Sequence, residues 1–122
     1  MAERFTRTEH KGKIINYFDY RGLSSLNEDE FIKTVYDATD WFMKWGDEQL
    51  TLTDMREAYT NQNIMKVWWE VAKTTAPMIS KSAILGINKP KAILLRGVNL
   101  FSKLDVRAFD TKEEALDWLV SE

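Results

Sequence analysis

Residues 49–71, QLTLTDMREAYTNQNIMKVWWEV, decide the fold. Two leucines alternate with threonines at the start of this stretch, which predicts a β-strand that ends at Asp54. A short polar loop follows, and a helix is predicted to begin near Thr60 or Asn61. In open α/β sheets, functional groups lie where a strand ends and the next helix begins. We therefore take this loop as the first place to look for a functional surface.

Strands and helices also alternate before this stretch. Residues 13–20 are β-branched and aromatic, which predicts the first firm strand. Residues 28–45 predict a long helix, because Asn27 is a good N-cap residue and Glu30 completes a capping-box pattern. Its apolar residues recur at helical spacing and predict a buried stripe, which consists of Phe31, Val35, Ala38, Phe42 and Trp45.

The same alternation continues after the central helix. Pro77 prevents that helix from continuing, and residues 79–87 predict a third strand. Residues 88–103 predict a further helix, and residues 106–109 predict a short fourth strand. The combination of Asp110, Thr111 and Glu113 or Glu114 gives a strong start signal for the last helix.

The order β-α-β-α-β-α-β-α indicates the α/β class, because a helix between two strands implies a crossover and mostly parallel pairing. We predict a single compact domain with a four- to five-stranded, mostly parallel or mixed sheet and about four helices. Residues 1–12 are predicted to form a polar N-terminal arm or an edge strand. Residues 13–122 are predicted to form the α/β domain.

The composition excludes several kinds of chemistry. The chain has no Cys, which rules out disulfide scaffolds, thiolate metal sites and cysteine nucleophiles. His10 is the single histidine, so a multi-histidine metal site is impossible. We expect no catalytic constellation, no bound metal and no cofactor, and hence a protein that is not an enzyme.

Charge and hydropathy give expectations about location and partners. The first residues are charged and lack the apolar segment of a secretory signal, and no apolar run reaches the ~20 residues of a membrane span. We therefore predict a cytoplasmic protein with no transmembrane segment. The net charge of −2 gives no case for nucleic-acid binding.

The charges are unevenly distributed along the chain. Residues 27–57 contain nine acidic and three basic residues, whereas residues 73–107 contain seven basic residues and one acidic residue. Such a dipolar surface can steer a charged partner or a second copy of the chain. A homodimer is therefore a possible assembly, and the alternative is a set of solvated faces that differ in charge.

Five segments, taken in order, resemble a known family. They are YFDYRGL (residues 17–23), the acidic helix, LTLTD (50–54), KSAILGI (81–87) and FDTKEEALDWL (109–119). Together they resemble the small STAS-like domains, which are related to bacterial anti-sigma-factor antagonists. The resemblance implies a STAS-like α/β domain over residues 13–122. It also implies a non-enzymatic regulatory or protein-interaction module.

The resemblance also implies a place for a phosphorylation switch. In the antagonists, a Ser or Thr at the start of the helix after the second main strand is phosphorylated. The corresponding stretch here is TDMREAYTNQN (residues 53–63), which lacks the antagonists' usual Asp-Ser-Ser-Gly-like motif. Thr60 is the candidate phosphosite, and its alternative role is that of a plain N-cap.

The candidate interaction surface comprises the loop and one flank of the following helix. Met, Tyr, Trp and Arg are enriched at interface cores, and this stretch contains all four. We expect a protein partner here. The candidate residues are Asp54, Met55, Arg56, Tyr59, Thr60, Asn61, Met65 and Trp69.

Three alternatives use other features of the same region. The carboxylates of Asp54 and Glu57 could act as an acid–base pair. Arg56 could join Asn88 and Lys89 in an anion site at a helix N-terminus. A third reading is a small-ligand or lipid-binding domain, with a pocket between the sheet and the helix predicted over residues 88–103.

Overall fold

One five-stranded sheet organises the chain, and helices cover both of its faces. The computed structural model describes residues 4–87 and 106–121. Its elements are, in chain order, β1 (Phe5–His10), β2 (Lys13–Asp19), α1 (Glu28–Phe42), β3 (Gln49–Asp54), α2 (Gln62–Thr75), β4 (Ile79–Leu85), β5 (Val106–Phe109) and α3 (Lys112–Val120). The predicted single α/β domain is confirmed, and the helix predicted over residues 88–103 lies outside the described residues.

The strands lie in the order β1-β2-β3-β4-β5. The pair β1–β2 is antiparallel, and the other three pairs are parallel. The prediction of four or five strands in a mostly parallel or mixed sheet is thus confirmed. The segment predicted as an arm or an edge strand contains β1, which pairs with β2 from Phe5 opposite Phe18 to His10 opposite Lys13.

The direction of the crossovers decides which face each helix covers. Both α1 and α2 join neighbouring parallel strands in the same direction along the sheet. Right-handed crossovers then place both helices on one face. Side chains of α1 and α2 form one core with Phe18 and Ile84, whereas α3 covers Ile15 and Leu52 on the opposite face. The apolar residues on both faces of β2 fit such two-sided coverage.

Helix α1 buries the predicted stripe except for its last member. Phe31, Val35, Ala38 and Phe42 are buried, but the helix ends at Phe42 and Trp45 lies beyond it, 40% exposed. The backbone N–H of Trp45 bonds to the carbonyl of Phe42, three residues earlier. Hydrogen bonds between residues three apart are of the 3₁₀ type, and here they end the α-helix one turn before the periodicity predicts.

Asn27 does not cap α1 through its side chain. The side chain instead accepts a hydrogen bond from the backbone N–H of Ser24 at 2.7 Å, and Ser24 caps a short 3₁₀ turn, Ser25–Asn27. The capping box predicted for Asn27 and Glu30 is therefore replaced by one that begins three residues earlier. A short 3₁₀ turn before an α-helix is common, and it was not visible in the periodicity.

Across residues 4–87 and 106–121, no helix combines the length and the apolar character needed to cross a bilayer.

Candidate functional site

Two loops run side by side at the edge of the sheet where the parallel strands end. Backbone hydrogen bonds of 3.0 Å join Tyr20 N–H to Asp54 O, Gly22 N–H to Glu57 O, and Tyr59 N–H to Leu23 O. We call residues 20–27 and 55–61 the loop edge. Because the main chains bond to each other, the two loops form one continuous surface.

Asp54 forms the base of this surface. Its carboxylate is 0% exposed at the end of β3. The Tyr17 hydroxyl donates to Oδ2 at 2.6 Å, and the Arg56 side chain donates to Oδ1 at 2.9 Å and to Oδ2 at 2.6 Å. The backbone N–H of Arg56 adds a fourth bond at 3.1 Å, and Arg21 Nε lies 3.8 Å from Oδ2. Asp54 therefore holds the loop in place.

These contacts set the protonation of the group. Burial by itself raises the pKa of Asp54, but the hydrogen bonds from Arg56 and Tyr17 outweigh it and lower that pKa below its ordinary value. Burial and the bond to Asp54 raise the pKa of Tyr17 to about 12. A general base must be within reach of a substrate proton. The buried Asp54, already bonded to four donor groups, does not meet that condition.

The neighbouring charges are paired as well. Arg21 forms an ion pair with Asp19 at 3.0 Å beside the Asp54 group. Burial raises the pKa of Asp19, and the hydrogen bonds from Arg21 outweigh that effect and lower it. Since Arg56 already neutralises Asp54, the predicted anion site keeps little unpaired positive charge. Its other two members, Asn88 and Lys89, lie outside the described residues.

Asn61 is the residue that caps α2. Its side-chain oxygen accepts a hydrogen bond from the backbone N–H of Ile64 at 2.9 Å. Its amide group donates to Oε1 of Glu28, at the start of α1. The cap therefore also joins the two helix starts. Thr60 is half-buried and directly precedes this cap.

Met55 corrects one of the expectations. It is 0% exposed, and its backbone N–H bonds to Leu85 O at 2.9 Å. A surface role is therefore wrong for Met55, because the chain turns into the core directly after β3. Gly86 lies against this turn with φ +81°, and a Cβ there would be 2.5 Å from Arg56 N. Strand β4 ends at Leu85, directly before Gly86 and two residues before the predicted strand end.

The other three apolar candidates, Tyr59, Met65 and Trp69, differ in how far they are buried. Tyr59 is 59% exposed on the loop edge. Met65 and Trp69 are half-buried on α2 and pack against the core formed with α1. Tyr59 thus projects from the surface, whereas Met65 and Trp69 contribute to packing.

Leu26 is an exposed residue that the sequence did not single out. It is 97% exposed in the 3₁₀ turn that precedes α1, on the same loop edge as Tyr59. One signal was available in the sequence, since Leu26 is an apolar residue among Ser and Asn that precedes the helix and stands outside its stripe.

A cavity of about 120 Å³ lies between the sheet and the helices α1 and α2. Its walls are mostly apolar, with Phe18, Val35 and Trp68 among the described residues that form them. Thr51 and Ser82 face it from neighbouring strands and are 3% and 5% exposed. The helix over residues 88–103, under which a pocket was predicted, lies outside the described residues.

In the part of the chain that the structure describes, no group of three or more His, Asp or Glu residues is placed to hold a metal ion.

The fold of this chain is similar to that of a solved structure. It is an uncharacterized protein of the DUF3478 family from Shewanella loihica PV-4, described as having a SpoIIAA-like fold. The TM-score is 0.66 at 18% sequence identity, and the match covers 94% of this chain and 91% of that chain. The chain has a SpoIIAA-like fold.

The STAS-like resemblance of the sequence is thereby confirmed for the fold. No protein-family model matches the chain, and no curated protein matches it. At 18% identity, the SpoIIAA-like neighbour shows the fold alone. The function of this chain is therefore inferred from its own residues.

Proposed function

We propose that this SpoIIAA-like domain is a non-enzymatic regulatory module that binds a protein partner through its loop edge. The observation that carries the proposal is the exposure of Leu26 and Tyr59, 97% and 59%, on two loops that are bonded to each other. Exposed apolar groups of this kind are typical of interaction surfaces when they lie together, and tyrosine is enriched at interface cores.

The construction of the loop edge supports this role. The buried Asp54 holds the second loop through Arg56, and Asn61 joins the starts of α1 and α2. A surface that is ordered before binding loses less conformational entropy when a partner arrives. The loop edge can therefore present Leu26 and Tyr59 to a partner without first having to fold.

The test compares two double variants as baits in a pull-down from a cytoplasmic extract. Leu26→Ser with Tyr59→Ser removes the apolar groups of the loop edge. Ile14→Ser with Tyr36→Ser is the matched control, because each of these residues is 50% exposed outside the loop edge. We expect a specific partner to bind the wild type and the control, and to bind the loop-edge variant about tenfold more weakly or worse. Equal recovery with all three baits contradicts the proposal.

Phosphorylation of Thr60 is the regulatory part of the proposal. A phosphate adds a charge of about −1.5 to −2 next to the N-terminus of α2. The helix dipole favours that negative charge. The carboxylate of Glu28, which accepts a hydrogen bond from the neighbouring Asn61, repels it. The modification would therefore weaken the link between the two helix starts and change the loop edge.

Mass spectrometry of the protein isolated from its host tests this part. We expect a phosphate that maps to Thr60 and disappears in Thr60→Val. A phosphate that persists in Thr60→Val, or protein that carries none under any growth condition, contradicts it. The cytoplasmic location predicted from the sequence belongs to the same proposal, and cell fractionation tests it.

Small-ligand binding in the cavity is the second candidate function. It is favoured by the cavity of about 120 Å³ beneath α1 and α2. Drug-sized ligands occupy roughly 300–1,000 Å³, so this space fits a smaller molecule than a lipid chain. Native mass spectrometry of freshly purified protein tests this function, with Ala72→Phe as the variant that fills the cavity. A wild type that carries no added mass counts against it.

A further inference from the structure

The strongest unexplained feature is the pair of hydroxyl groups in the wall of the cavity. Thr51 on β3 and Ser82 on β4 are directly opposite each other across parallel strands. The Thr51 hydroxyl donates a hydrogen bond of 2.7 Å to Ser82 Oγ, and both side chains are buried. Buried hydroxyls are costly in an apolar space unless each finds partners.

A count of hydroxyl protons shows that this pair has one proton more than it uses. The bond between the two groups uses the proton of Thr51. Within the described residues, Ser82 donates its proton to no acceptor. Among the other hydroxyls in the cavity wall, those of Thr39 and Thr75 are already engaged, because Thr39 donates to Val35 O at 2.9 Å and Thr75 donates to Val71 O at 3.0 Å. Ser82 therefore offers a donor to the cavity.

Charge and volume restrict what this donor can meet. No charged residue stands among the described residues that line the cavity. A carboxylate there would lose its hydration without gaining a cation, which makes a neutral ligand the favourable one. An engineered apolar cavity of about 150 Å³ holds benzene. A cavity of about 120 Å³ therefore has room for about one small ring.

We propose that the cavity binds a small neutral molecule that has an apolar body and one hydroxyl or carbonyl oxygen. The oxygen accepts a hydrogen bond from Ser82, and the body packs against Phe18, Val35 and Trp68. This inference rests on the second candidate function, and it names the class of ligand that the site selects. Thr51 and Ser82 are the residues that determine that selectivity.

The test is a titration of the protein, followed by amide chemical shifts in NMR, with three ring compounds as probes. Phenol carries the hydroxyl, toluene is its apolar counterpart, and benzoate is the charged one. We expect phenol to bind the wild type about fivefold more tightly than toluene, because one net hydrogen bond is gained. Benzoate is expected to cause no saturable shifts.

Three variants distinguish the hydroxyl pair from the rest of the cavity wall. Ser82→Ala and Thr51→Val each break the pair, and both are expected to abolish the preference for phenol. Thr39→Val is the matched control, because the Thr39 hydroxyl already bonds to the helix backbone and its loss should leave the preference intact.

The outcomes separate this inference from the function on which it rests. Toluene that binds as well as phenol overturns the ligand class but leaves a ligand-binding cavity. A preference for phenol that survives in both Ser82→Ala and Thr51→Val overturns the role of the pair. If none of the three probes binds the wild type, the cavity function and this inference both fail.

Discussion

The Tyr17 hydroxyl donates a hydrogen bond of 2.6 Å to Asp54, at the ends of two neighbouring parallel strands. The Tyr17 side chain reaches the carboxylate from β2, and the Arg56 guanidinium reaches it from the loop after β3. The two side chains therefore hold β2, β3 and the following loop in one arrangement. The first question for experiment is how much stability this contact contributes.

Removing one partner of the contact is expected to destabilise the protein. Tyr17→Phe should lower the free energy of unfolding by about 1–2 kcal/mol, since a hydrogen bond to a charged group is lost. Asp54→Asn should cost about 2–4 kcal/mol, because the donors of Arg56 and Tyr17 lose their charged acceptor. Urea unfolding at neutral pH measures both values. Equal stability of Asp54→Asn and the wild type would contradict the structural role of this carboxylate.

The same carboxylate predicts how stability depends on pH. The pKa of Asp54 is lower in the folded protein than the ordinary value of about 3.9 in the unfolded chain. Its contribution is therefore fully present above that ordinary value and is lost as pH falls through the lowered one. We expect the stability difference between wild type and Asp54→Asn to shrink as acid is added. A difference that stays constant into strong acid would show that the charge of Asp54 is irrelevant.

Gly86 is expected to tolerate no side chain. An added Cβ would approach Arg56 N to 2.5 Å and its Cα to 2.7 Å, and φ is +81°. Gly86→Ala should therefore cost about 3 kcal/mol or more in the free energy of unfolding, from clash and backbone strain together. Gly22→Ala is the control, because its φ of +85° carries the strain while the space around it is open. That variant should cost only about 1–2 kcal/mol, and equal costs would mean that the close approach is unimportant.

Substitution of Asn61 is expected to lower the free energy of unfolding much more than substitution of Thr60. Asn61→Ala removes the bond to Ile64 N–H and the link to Glu28, and should cost about 1–2 kcal/mol. Thr60→Ala should change the free energy of unfolding by no more than about 0.5 kcal/mol. Thermal unfolding followed by circular dichroism compares them. A larger loss in Thr60→Ala would place the cap one residue earlier.

The uneven charge distribution predicts self-association that depends on salt. Attraction between an acidic and a basic region is screened as ionic strength rises. We expect light scattering to detect a dimer at low salt that dissociates at high salt. A monomer mass under both conditions would rule out the homodimer. A dimer that persists at high salt would instead require an apolar interface.

Local patterns in the sequence were sufficient for most of the fold. Strand β3 was predicted with its observed bounds, 49–54, and the stripe of α1 was correct from Phe31 to Phe42. These features depend on side-chain periodicity and helix caps, which act over a few residues. The end of α1 was misplaced by three residues because hydrogen bonds between residues three apart, such as Trp45 N–H to Phe42 O, close its last turn. Such bonds cannot be recognised from the spacing of apolar residues.

The candidate site was only partly accessible from the sequence. The sequence placed a polar loop after Asp54 and a helix start near Asn61, because strand ends and caps are local features. Only the tertiary structure placed Met55 in the core and joined the loop of Leu26 to the loop of Tyr59, since the depth of a residue depends on how segments distant in sequence meet. It likewise brought Thr51 and Ser82 together across two strands. Periodicity determined which residues face a neighbouring layer, and the packing of that layer decided which of them stay exposed.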